Sequence, residues 1–92
     1  MKEEQKEYNA ISTTLTTDYG RFNVSTAYRR SSAMLNLDDW YYETFAWNLD
    51  EENKRGKIIA DNSGAMDIEG ALEQHNEVCR QLIKNGEFRE IN

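Results

Sequence analysis

An α+β fold, an antiparallel sheet of three or four strands with one long C-terminal helix packed on one face, is what this chain of 92 residues predicts. Three observations carry the expectation. Residues 8–28 are rich in β-branched side chains and alternate around a "DYG" turn. A second alternating block, "WYYETFAW" at 40–47, holds five of the chain's ten aromatics. From Asp67 onward the period changes, and apolar residues recur every three to four positions as on one face of a helix.

Each element has its own signal. "YNAISTTLTT", from Tyr8 to Thr17, reads as a first strand, and "RFNVSTAY" as its hairpin partner, with Gly20 free to take positive φ in the turn. In the second strand Phe22, Val24, Thr26 and Tyr28 share one face, opposite Asn23, Ser25 and Ala27. "RRSSAMLNLDD" breaks the alternation and reads as a loop whose Met34, Leu35 and Leu37 fold back on the core. The third strand, 40–49, offers two faces: Trp40, Tyr42, Thr44 and Ala46, or Tyr41, Glu43, Phe45, Trp47 and Leu49. The second set is the more apolar, so it is expected to face the core, carrying Glu43 with it. "DEENKRG" is a charged turn, "KIIAD" a short fourth strand, and "NSG" closes the sheet.

Asp67 suits an N-cap, Glu69 the first turn, and "NG" at 85–86 a C-cap, giving a helix over 68–84. Its expected buried stripe is Ile68, Ala71, Leu72, His75, Val78, Cys79, Leu82 and Ile83. Phe88 and Ile91 alternate as a short tail strand. Residues 1–7 read as a flexible arm and 8–92 as a single domain.

Composition narrows the function. The net charge is −6, which argues against direct nucleic-acid binding and is compatible with a basic protein surface as partner, or with a charge that serves solubility alone. One cysteine, Cys79, excludes an internal disulfide and a thiolate zinc cluster. No stretch is apolar enough for a membrane span, so the expectation is a cytoplasmic protein, monomer or weak homodimer, without cofactor. The pair Cys79 and His75, at i and i+4, has the spacing of a nucleophile and base, yet both fall on the buried stripe, where cysteine is an inert small hydrophobe. Glu69, Glu73 and Glu77 lie on one exposed side of the helix. No glycine loop, nucleophile elbow or HExxH occurs, and an enzyme is not expected.

Glu43 poses the sharpest question. A carboxylate among inward aromatics costs several kcal/mol unless paired, and Arg29, Arg30, His75 or a tyrosine hydroxyl could supply the partner.

"IST" at 11–13, "ETF" at 43–45 and "DIEGALEQH" at 67–75 together resemble a group of small phage-encoded accessory proteins. That group has an "IST" strand, an "ETMVF"-like strand and a helix of the form "T-W-x-E-A-x-x-G-H". The order and spacing agree over most of the chain. Asp67 stands where the group has a hydroxyl cap, and Gln74 where it has glycine. The resemblance implies that Glu43 and His75 form a structural pair, a sheet acid meeting a helix histidine, with His75 titrating above its usual value. It also implies a phage setting, in which compact acidic proteins such as anti-CRISPRs bind and block host defence effectors. The expected partner-binding residues are Asp38, Asp39, an exposed Trp40, Asp50, Glu51 and Glu52, imitating nucleic acid at a basic groove. The alternatives are a nucleotide or small-ligand module using the aromatic strand as a stacking wall, which needs Arg29, Arg30 or Arg55 beside it, and a virion assembly protein.

Overall fold

A computed structural model describes residues 8–30 and 40–89. Four antiparallel strands run as a meander in the order β1-β2-β3-β4, and one helix follows them. The strands are β1 (Tyr8–Thr17), β2 (Gly20–Arg30), β3 (Trp40–Leu49) and β4 (Arg55–Ala65); the helix is α1 (Ile68–Asn85). The α+β expectation holds. The arm 1–7, the loop residues Met34, Leu35 and Leu37, and Ile91 lie outside the described residues.

Local chemistry sets the turns. Between β1 and β2 the Thr17 hydroxyl accepts from the Tyr19 amide at 2.9 Å and donates to the Gly20 carbonyl at 3.1 Å. Between β3 and β4 Asp50 Oδ1 accepts from the backbone amides of Glu52 and Lys54, at 2.8 and 2.9 Å. Fourth-strand pairing begins at Arg55, two residues earlier than the sequence suggests, and runs on through "NSGA". Its register slips by one residue opposite Tyr42 and Glu43, where Gly64 takes φ 127°, a conformation that side chains disfavour.

The helix is capped as expected. Asp67 Oδ1 accepts from the Gly70 amide at 2.8 Å, and Gly86 closes the far end in the left-handed region, its amide bonded to the Leu82 carbonyl. A Cβ on Gly86 would lie 2.6 Å from a carbon of the Tyr19 ring. The β1–β2 turn is therefore fitted against the end of the helix.

The core corrects one expectation. Phe22, Val24, Ala46, Ala60, Val78 and Leu82 are buried together, with Leu15, Ile59, Cys79 and Phe88 packed around them. Opposite residues on paired strands share a face, and Val24 lies opposite Ala46 and Thr26 opposite Thr44. The small set of β3, not the aromatic set, thus meets the helix. Ala46, Ala60 and Ala71 leave room for the helix to lie close to the sheet, whereas rings at Phe45 and Trp47 would hold it off. Those two rings, with Tyr41, Glu43 and Leu49, occupy the open face. Ile68, Leu72 and Ile83, expected on the buried stripe, are exposed. Phe88 packs on the core without forming a strand.

Candidate functional site

Beneath the helix lies a closed polar cluster. His75 is buried, with Nε2 2.9 Å from the Thr13 hydroxyl and Nδ1 2.8 Å from that of Thr26. Thr26 Oγ1 is 2.6 Å from Thr44 Oγ1, which accepts from Gln74 Nε2 at 3.0 Å. Gln74 also donates to the Tyr42 carbonyl and accepts from the Ala65 amide. All four strands are thereby tied to one turn of the helix. Among the described residues no buried side-chain polar atom lacks a partner. Burial holds His75 below its usual 6.5, because a charged imidazole there would lose its water. Both ring nitrogens are engaged by hydroxyls, so His75 has none to offer Cys79, whose thiol burial pushes up. No nucleophile–base dyad forms.

The expected pair of Glu43 and His75 does not exist. Thr44 points to the helix, so its neighbour Glu43 points the other way. On the open face Arg29 Nη1 donates to Glu43 Oε1 at 3.1 Å. The Glu43 carboxyl is raised from 4.5 to about 7, chiefly by burial and then by the hydrogen bond and charge of Asp61, against the pull of Arg29 and the Tyr41 hydroxyl. His75 accordingly shifts down, not up as the pairing required.

The open face also carries aromatics dressed with guanidinium groups. Arg55 reaches across β3, its Cζ 3.8 Å from the Trp47 ring centroid, and donates from Nε and Nη2 to Asn23 Oδ1 at 3.1 and 2.9 Å. Asn23 is only 8% exposed and is anchored in turn to the Thr13 carbonyl and the Ser12 hydroxyl. Phe45 lies 5.7 Å from Trp47 in a tilted arrangement, with Arg29 5.8 Å from its ring. Arg55 and Arg29 were foreseen as requirements of a ligand site; Asn23 was missed. The available signal was an asparagine in mid-strand, where its propensity is poor.

The expected acidic set falls only partly among the described residues. Trp40 is half-buried, stacked on Tyr28 at 4.8 Å, with Tyr42 against Tyr28 at 4.6 Å, rather than exposed. Asp50, Glu51 and Glu52 stand at the other end of β3, roughly 30 Å away at about 3.3 Å per residue. Asp50 is spent on its own turn, and Asp38 and Asp39 lie outside the described residues. Exposed Glu51, Glu69 and Glu73 have no hydrogen bond or ion pair among the described residues, whereas Glu77 is held by Arg80 and Gln81.

Among the described residues no group of histidine, cysteine and carboxylates could hold a metal ion, and no helix is long and apolar enough to cross a membrane. No family model, curated protein or solved structure matches the chain.

Proposed function

We propose that the chain is a non-enzymatic protein that acts by stoichiometric binding, a phage-encoded inhibitor whose acids engage a basic, nucleic-acid-handling surface of a host defence effector. One observation carries this reading: Glu51, Glu69 and Glu73 are exposed, without partners among the described residues, and mounted on a hydrogen-bonded turn and a capped helix. Such carboxylates are already ordered in part, so a cationic partner loses less entropy in meeting them. Trp40 drops out as an exposed anchor, and the surface is electrostatic. The test captures partners from a CRISPR-bearing host and asks whether nucleic acid displaces them. Binding should weaken steeply with salt, and Glu51→Gln with Glu69→Gln and Glu73→Gln should abolish it while leaving the fold intact. A neutralised variant that binds and inhibits like the parent ends the reading.

A second reading, a small-ligand module, is favoured by a different observation. Arg29 and Arg55 lie on the same face as Phe45 and Trp47, which is the placement that an aromatic wall for an anionic ligand requires.

A further inference from the structure

On the open face, next to the β3–β4 turn, Thr14, Arg21, Asn23, Leu49, Asn53 and Arg55 line a cleft of 340 Å³. The size suits a small ligand. What distinguishes the cleft is the state of its two cations. Arg55 is fixed by contacts that are all uncharged: the Asn23 amide oxygen and the Trp47 ring. Its position is set while its charge is left uncompensated. Two of its five N–H donors go to Asn23, and three remain. Arg21, half-buried on β2, has no hydrogen bond or ion pair among the described residues. Two like charges thus face one cleft with no carboxylate lining it, an arrangement that costs energy unless something anionic enters.

The geometry points to a binding site for a phosphate-class oxyanion, free or carried on a nucleoside monophosphate, in the cleft between Arg21 and Arg55. It rests on the small-ligand reading of the open face and narrows it. A guanidinium edge offers paired donors that match two oxygens of an oxyanion, and two such groups can grip a tetrahedral anion from different sides. The Thr14 hydroxyl and the Asn53 side chain, on a residue held at φ 66°, add neutral donors to the lining. Leu49 supplies the apolar wall on which a base or sugar can rest. Net charge does not forbid this, because the local field decides. The acids nearest the site line the adjoining hollow with Arg21: Asp50, committed to its turn, Glu52, 3.7 Å from Lys54, and Glu51.

The test is NMR titration of the intact chain with inorganic phosphate and, separately, adenosine monophosphate, with sulfate-free buffer as the reference. Saturable shifts are expected at Thr14, Arg21, Asn53 and Arg55, together with a change in Trp47 fluorescence as the guanidinium above it is engaged. Arg21→Gln, on a side chain without a hydrogen bond or ion pair among the described residues, should weaken both ligands at least tenfold with little change in thermal unfolding. Arg55→Lys keeps the charge but loses the fork and should also weaken binding. Equal affinity for the two probes assigns the site to the anion alone, and tighter binding of the nucleotide adds the base; either supports the site. Shifts confined to Phe45 and Arg29 would overturn the cleft and leave a ligand site elsewhere on the face. No shift with either probe, or binding indifferent to Arg21→Gln, overturns the proposal, and the former removes the small-ligand reading with it.

Discussion

The two faces of one sheet use polar residues to opposite ends. Under the helix, half-buried Thr13 and buried Thr26, Thr44 and His75 form a hydrogen-bonded knot without net charge. On the open face, Arg29, Glu43, Asp61, Asn23 and Arg55 lie among Phe45 and Trp47, with charges only partly neutralised. The first arrangement fixes geometry, since each hydroxyl has one place to be. The second leaves capacity for a partner.

Removing the knot should have the largest effect. His75→Ala leaves a cavity and takes a hydrogen-bond partner from each of the Thr13 and Thr26 hydroxyls, and should cost about 3 kcal/mol in urea unfolding. Thr26→Val keeps the volume but strands His75 Nδ1 and takes one hydrogen-bond partner from Thr44, for a cost of about 2 kcal/mol. If either variant unfolds like the parent, the helix-facing cluster is ornamental and the contrast between faces collapses. Asn23→Ala, on the other side, should cost about 1 kcal/mol, because Arg55 can turn to water when its acceptor goes. It should also loosen the guanidinium from Trp47, which tryptophan fluorescence would report.

The smallest effect is the most discriminating, because the two faces respond to acidity in opposite senses. His75 is held low, so the unfolded chain takes up its proton first, and this contribution to stability is lost as pH falls through 6.5. Glu43 is held high, at about 7, so the folded chain retains its proton longer. Its contribution is complete below 4.5 and is lost as pH rises through 7. Between these values the two slopes offset each other. Glu43→Gln should unmask a stability that climbs with pH across that window, and His75→Leu one that declines. Identical pH profiles for parent and Glu43→Gln would show that the carboxyl is not perturbed by its surroundings.

Periodicity and end signals made most of the fold legible. The "DYG" hairpin, Asp67 and Gly86 are local features found where their residues suggest, and the helical stripe holds at Ala71, His75, Val78 and Leu82 but not at Ile68, Leu72 and Ile83. The facing of β3 was not legible, because hydrophobic content ranks the aromatic set as inward, while cross-strand pairing with Val24 and Thr26 selects Thr44 and Ala46. That choice is made by volume under the helix, which depends on residues about thirty positions away. Once β3 turns over, Glu43 leaves His75 for Arg29 and the aromatics become surface. The histidine's partners were hidden for a related reason, since threonines in strands read as ordinary β-formers. Trp40 reads as exposed because charged Asp38 and Asp39 precede it in sequence, whereas cross-strand stacking on Tyr28 half-buries it.

The helix that covers the sheet is synthesised after all four strands. The four-strand meander is complete by Ala65, and hairpins close in about 1–10 μs, whereas the twenty residues from Met66 to Asn85 take about 1–4 s to synthesise at 5–20 residues per second. Until the helix docks, Phe22, Val24 and the threonine hydroxyls of the emerged strands have no cover, and the outer strands are open to other nascent chains. A synonymous change that slows translation within codons 66–85 would lengthen the exposure without altering a single residue of the product, and the yield of soluble protein would register it.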